Sequence, residues 1–313
     1  MPQNSVILKI KFIAAFFCIY VFWGGTFLAR RSAIETIPPF FMAGCQFVLA
    51  GILMAVLAVL SGAPRPSGKD VLQAALPGFL ILSCGTGLLA WSQQTVSSGI
   101  AALLTASVPL WMVLLENLKK RTGFSLRSSA GLAAGFLGIA ALVLPRPGSM
   151  DTVDGAGAFV LLAAAFLWSA GSLLCRDRGG HLSSRVWLSL QLLWGGGILL
   201  LASFLSGAHR EFDAAKVTFY SAAAFGYLVL FGGVAGFIAY DWLLRRASAS
   251  AVATHAFVNP LIAVVLGWAF AGEKLGLSSA AAASLILLSV ALLIPGGNQG
   301  TLDECSGKSR ISA

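Results

Sequence analysis

Charge is scarce in this chain. Only 11% of its 313 residues are Asp, Glu, Lys or Arg, less than half the share typical of a soluble globular domain. The motifs on which enzymes build their chemistry are missing too. There is no GxxxxGK[ST] phosphate loop, no GxGD, no HExxH, no GxSxG and no central pair of carboxylates. Nucleotide hydrolysis and intramembrane hydrolysis each need such groups held together. Five cysteines are scattered without a CxxC spacing, so neither a disulfide frame nor a zinc site is indicated. Long polar stretches are lacking as well, which leaves no room for a separate catalytic or nucleic-acid-binding domain. We therefore expect no catalytic residue, no cofactor and no bound metal.

What the chain has is apolar sequence: 58% of its residues are hydrophobic and its mean hydropathy is +0.86. These residues fall into ten runs, each near the roughly 20 residues that an α-helix needs to cross a bilayer. The runs are Phe12 to Ala29, Pro39 to Leu60, Leu72 to Gln93, Gly99 to Leu115, Ser129 to Leu144, Gly155 to Leu174, Val186 to Leu205, Val217 to Leu243, Ala251 to Ala271 and Leu277 to Ile294. The expected fold is an all-α integral membrane protein with ten transmembrane helices. Polar punctuation such as SGAPRPSGKD and LPRPGSMDTVDG separates the runs. The net charge of +9 sits in short connections and forms no continuous basic face for nucleic acid.

Membrane topology accounts for those cations. With the N-terminus inside, fifteen Lys and Arg fall on inner segments and six on outer ones, including Arg30 and Arg31. Short positive loops are retained in the cytoplasm, so both termini are expected there, in a bacterial inner membrane. Lys9 and Lys11 precede an apolar run with no small-x-small site before Arg30. That start reads as an uncleaved first helix, and residues 296–313 as a polar cytoplasmic tail.

The second half repeats the first. An offset of 145 residues sets Trp23 of VFWGG on Trp168 of AFLWSAG, Gln46 on Gln191 and Gly51 on Gly196. From Trp91 onward the offset is 151. It sets Trp91 on Trp242 and Pro109 on Pro260, with seven identities in 25 positions. Five spans per unit is an odd number, so two five-helix repeats (residues 12–145 and 154–295) must cross the membrane in opposite senses. Inverted repeats of this kind mark transporters, whose substrate sites lie near the midplane where the copies meet. Pro109 and Pro260 fall inside their spans. Each removes a backbone donor and frees the carbonyl four residues earlier, that of Thr105 or Ala256. Both are candidate helix-break or gating positions.

Several segments together resemble the drug/metabolite transporter superfamily, in its ten-span branch with two EamA-type domains. They are WGG with Trp23, SSGIAALLTASVPL, LWSAGS with Trp168, FGYLVLFGGVAGFIAY and SASAVATHAFVNPLIAVVLGWAFAGEKL. The SGIAALL and VNP segments are most similar to YedA-like permeases. The resemblance covers about Phe12 to Pro295. It implies a basket-like bundle around a central cavity lined by spans one, three, four, six, eight and nine, a secondary transporter working by alternating access, and commonly export of metabolites or drug-like compounds. One departure stands out. The family often carries Arg before the FLLAG stretch of the second span, where this chain has Gln46, with Gln191 as its counterpart.

Candidate substrate contacts follow from residues unusual for a lipid-facing helix. Trp23 and Trp168 lie halfway along their spans, away from the interfacial aromatic belt, where they either wall a cavity or fill the bundle. Asn259 precedes Pro260 and either binds substrate or satisfies freed backbone. His255 either couples protons, as its near-neutral titration permits, or packs as a neutral ring. Asp241 either couples or pairs with Arg245 four residues on. Trp91, Gln93, Gln94 and Trp111 form an entrance or anchor the interface. Glu116 and Glu273, beside lysines at helix ends, read as interfacial anchors. The expected partners are the bilayer, protons and a small solute such as an amino acid or another neutral or cationic metabolite; no oligomeric state follows from the residues. The absence of Arg and Lys inside the spans argues against strongly anionic substrates. The alternatives to a transporter are a membrane-embedded enzyme, which lacks its motifs, and a scaffold or channel subunit, which lacks large polar loops.

Overall fold

In the computed structural model every described element is helical. The structure describes residues 2–121, 125–144, 154–178, 182–244, 246–247, 252, 255–273 and 276–293. The expected tail, Arg245 and the side chain of Asp241 lie outside the described residues.

We label the helices α1 (Ile7–Ala33), α2 (Pro39–Leu60), α3 (Gly68–Ser92), α4 (Ser98–Lys119), α5 (Leu126–Val143), α6 (Gly155–Arg178), α7 (Ser184–Ser206), α8 (Phe219–Tyr240), α9 (His255–Ala271) and α10 (Leu277–Leu293). Among the described residues eight are long and apolar enough to cross a membrane. The last two contribute shorter apolar stretches, Val258–Ala271 and Ser279–Leu293. Large apolar side chains stay exposed around the bundle, among them Leu137 (66%), Phe159 (72%) and Trp268 (70%). Water would penalise such a surface and lipid does not. The molecule is an all-α multi-pass membrane protein.

Local sequence sets the helix ends. Ser67 and Asp70 form a reciprocal capping box at the start of α3, Ser183 caps α7, and Thr218 caps α8. Gly207, at a φ of +77°, takes the left-handed conformation that ends α7.

Small residues decide which helices touch. A β-carbon at Gly196 would lie 2.7 Å from the Val48 nitrogen and 2.9 Å from the Gly44 carbonyl oxygen, so α2 and α7 meet backbone to backbone. One at Gly138 would lie 3.0 Å from the Ile286 nitrogen, which brings α5 onto α10. Other contacts come in matched sets related by adding five to a helix number. Helix α3 packs on α6 as α8 packs on α1, α4 on α6 as α9 on α1, and α3 on α7 as α8 on α2.

Three helices are unwound into π-helical segments: Cys18–Phe22 in α1, Phe79–Gly87 in α3 and Leu228–Ala235 in α8. Such segments are rare and concentrate at functional sites. They shift carbonyls out of the regular ladder, and inside a membrane those carbonyls need donors from elsewhere. Helix α4 is interrupted instead. Its first piece ends at Thr105 and its second begins at Val108, which leaves Pro109 in the first turn of a new helix, where its missing N–H is harmless. Helix α9 runs through Pro260 without a break.

Candidate functional site

The π segment of α1 is held by side chains from α8 and α9. The Tyr227 hydroxyl donates to the Phe22 carbonyl at 2.9 Å. Asn259, with its amide nitrogen turned to the nearby acceptors, lies 3.1 Å from the Ile19 carbonyl oxygen and 3.2 Å from those of Tyr20 and His255. The amide hydrogens of Asn259 therefore serve displaced backbone.

One residue past this segment, Trp23 spans the junction. Its indole Nε1 donates to the Gly232 carbonyl in the π segment of α8 at 3.1 Å. A β-carbon at Gly236 would fall on that indole, so only glycine admits the ring. Phe237, Tyr240 and His255 surround Trp23 at centroid distances of 5.3, 5.2 and 5.4 Å, edge-on or tilted, the geometries favoured by ring quadrupoles. His255 Nδ1 lies 2.9 Å from the Val252 carbonyl. Donation to that carbonyl leaves Nε2 as the acceptor of the neutral ring. Trp23, His255 and Asn259 thus come together, joined by Phe237, Tyr240 and Tyr227. These last three were hidden in FGYLVLFGGVAGFIAY, where the Phe237-to-Tyr240 spacing of three was the available signal. The cluster offers an apolar aromatic wall with one titratable ring.

Trp168 lies elsewhere. It packs on the π segment of α3, where a β-carbon at Gly85 would come within 2.9 Å of the indole Cε3. The neighbouring Ser169 hydroxyl reaches the Val108 carbonyl at 3.0 Å, beside the α4 break. Trp91 (40% exposed) and Gln94 sit at the open end of α3, and the Gln94 amide turns back to the Trp91 carbonyl. Trp111 stacks between Phe136 and Phe166. None of these three touches the Trp23 cluster.

The same end of the bundle as Gln94 carries tight polar contacts. Gln93, fully buried, donates to the Phe27 carbonyl at 2.9 Å, and Arg31 donates to the carbonyls of Gln93 and Val96. The Glu273 carboxylate accepts the N–H of Ser98 at 2.7 Å, that of Gly99 at 3.0 Å and the Ser98 hydroxyl at 2.9 Å, capping α4. Asp154 accepts the Thr95 hydroxyl at 2.6 Å and the Gly157 N–H at 3.0 Å, which holds its carboxyl below the usual range.

Arg30 corrects the sequence reading. Assigned there to an outer connection, it lies within α1 at 4% exposure, and its Nε and Nη1 have no hydrogen-bond partner among the described residues. A cation therefore does sit inside the bundle.

Comparison with known proteins fits this architecture. The EamA-like transporter family matches residues 10–144 and again 155–294. The chain is 32% identical over 288 residues, 90% of each chain, to a protein of Escherichia coli strain K12 named "Uncharacterized inner membrane transporter YedA". It is 26% identical to protein PagO of Salmonella typhimurium over 82% of this chain and 84% of that one. One crystal structure superposes with a TM-score of 0.62 at 18% identity, covering 91% of this chain and 96% of its own, and so shares the fold. The chain belongs to the EamA-like transporter family and is a membrane permease, not an enzyme.

Proposed function

We propose that the protein is a secondary transporter that exports small metabolites or drug-like solutes by alternating access. Ten spans form two inverted five-helix repeats, residues 12–145 and 154–295, in a bacterial inner membrane with both termini in the cytoplasm. The relative YedA carries an inner-membrane name. The observation that carries the reading is a pair of matched junctions. Trp23 of α1 seats on Gly236 of α8, and its repeat-equivalent Trp168 of α6 seats on Gly85 of α3. The first helix of each repeat thus docks on the third helix of the other, at sites that the offsets of 145 and 151 residues relate. Each junction is a π-helical segment with little side-chain bulk. Exchange of the two junctions between tight and loose packing is the rocking that alternating access requires.

In this mechanism the solute lies against Trp23, bounded by Tyr240 and His255, with Asn259 holding the α1 backbone in place. Trp168, Trp91 and Gln94 line the remainder of the path. Pro109 and Pro260 are the hinge positions, and His255 with Asp241 forms the candidate proton route. The test is an untargeted comparison of small molecules inside and outside cells expressing the wild type, Trp23→Ala or Asn259→Ala. We expect a solute to redistribute, chemically unchanged, only with the wild type. No redistribution of any solute, or one that survives both substitutions, would overturn the reading. A pH gradient imposed on vesicles tests coupling, with His255→Ala and Asp241→Asn expected to abolish the response.

A further inference from the structure

Seven residues separate Trp23 from Arg30, two turns of helix less about 20°, so the two lie on one face of α1 about 10 Å apart along its axis. Side chains on a helix lean toward its N-terminus, which carries the guanidinium back toward the Trp23 layer. Thr26 lies between them, against Gly232 of α8; a β-carbon at Gly232 would be 3.0 Å from the Thr26 methyl and 4.0 Å from Gln46 Nε2. That places Gln46 on the same junction, and its Nε2 donates to the Leu228 carbonyl at 3.3 Å while its Oε1 is buried without a partner.

The second repeat supplies the control. The offset of 145 residues sets Arg30 on Cys175 and Gln46 on Gln191. There the pair closes on itself, with Cys175 Sγ donating to Gln191 Oε1 at 3.3 Å. At the equivalent positions of the first repeat, Arg30 Nε, Arg30 Nη1 and Gln46 Oε1 have no partner among the described residues. A buried guanidinium without a counter-charge is costly, and its planar fork matches a carboxylate bidentately.

We propose that Arg30 binds the carboxylate of the transported solute, whose apolar body rests on Trp23. The inference deepens the transport reading and rests on it. It narrows the substrate to small organic acids or zwitterions, which keeps the amino acids among the expected solutes and removes those that carry no carboxylate.

The test is binding to the purified full-length protein in lipid nanodiscs, read by thermal unfolding and tryptophan fluorescence. Three carboxylates are set against their amides: acetate and acetamide, benzoate and benzamide, phenylalanine and phenylalaninamide. We expect at least one carboxylate to raise the wild-type melting temperature at concentrations where its amide does not. Response to benzoate identifies a simple acid, and response to phenylalanine alone a zwitterion. Arg30→Gln should abolish the discrimination and raise the melting temperature without ligand, because it removes an uncompensated charge. Gln46→Glu should supply an internal carboxylate, with the same two effects, and it decides the matter if Arg30→Gln does not fold. The same response to acid and amide in the wild type, or discrimination that survives either substitution, overturns the inference. Failure of the transport reading is separate: it would appear as no solute moving in wild-type cells, whatever the nanodisc result.

Discussion

The cluster around Trp23 and its counterpart around Trp168 share a frame and differ in chemistry. Both tryptophans sit on a glycine in a neighbouring helix that carries an unwound, π-helical segment. The offset of 151 residues, however, turns Phe237, Tyr240, His255 and Asn259 into Thr86, Leu89, Leu104 and Val108. Among the described residues no ring partner meets Trp168. The carbonyl that takes the Trp23 indole, that of Gly232, corresponds to that of Ile81, where the Thr86 hydroxyl lies 3.5 Å away instead. Symmetry of the frame is what the proposed two-state rocking needs, because each state is the other turned about the pseudo-twofold axis. Symmetry of the site is not needed, since one solute must contact one set of groups. In the proposed mechanism the polar and aromatic contacts to solute are concentrated on the Trp23 side, while Trp168 lines the path and serves chiefly as a packing bearing.

The largest test of that division is to truncate each ring. Trp23→Ala and Trp168→Ala should each destabilise by roughly 3–5 kcal/mol, as large core truncations do. Their effects on flux should differ. Normalised to folded protein, Trp23→Ala should lose at least about tenfold, the equivalent of ~1.4 kcal/mol in the barrier, and Trp168→Ala distinctly less. Equal losses would abolish the distinction between site and bearing. Next come the glycines. Gly236→Ala puts a methyl group on the indole and disturbs its bond to Gly232, whereas the methyl of Gly85→Ala meets the Trp168 ring edge at 2.9 Å, its Cβ at 3.2 Å and the Leu80 carbonyl oxygen at 3.3 Å, and breaks no bond of the indole nitrogen. Overpacking of this kind costs about 1–3 kcal/mol, and unfolding midpoints should put Gly236→Ala at the upper end. The prolines should differ by less. Pro260→Ala lets residue 260 donate to the Ala256 carbonyl, a net gain of about 1 kcal/mol, and should slow flux if the hinge lies there. Pro109→Ala changes a first-turn position where no donor is needed, so its effect should stay within about 0.5 kcal/mol.

The all-α, multi-pass membrane architecture was legible in the sequence because a lipid-facing helix must be apolar along its whole length. Glycine spacing also told of close packing. The bends were not legible. A π-helical turn differs from a regular one only in which carbonyl each N–H meets, and CIYVF or FLILSCGTG carries no residue that forces the change. Only the donors that repair it betray it, and Tyr227 and Asn259 lie more than 200 residues from Cys18–Phe22. Arg30 was misplaced for a related reason. Two adjacent arginines after an apolar run look like a boundary, but only Arg31 reaches out to the α3–α4 turn, while Arg30 points into the protein. Glu273, read as an interfacial anchor beside Lys274, caps a helix that begins 175 residues before it.

The smallest effect belongs to the start of the second repeat. Asp154 there corresponds through the 145-residue offset to Lys9, just before the first repeat, so the chain enters the two repeats with opposite charges. The Asp154 carboxylate links the turn before α4 to the first turn of α6 through Thr95 and Gly157. The Thr95 hydroxyl first, then the Gly157 N–H, hold its carboxyl below the ordinary value of 3.8. A depressed carboxylate pKa stabilises the fold above the ordinary value, and that contribution fades as pH falls from there through the folded value. The group is fully exposed, so the effect is slight. Unfolding midpoints of wild type and Asp154→Asn should differ at neutral pH and converge as the pH falls below the ordinary carboxylate value. A difference that stays constant over that range would mean that the side chain acts through shape, and that the charge opposition between the two repeats plays no part in joining them.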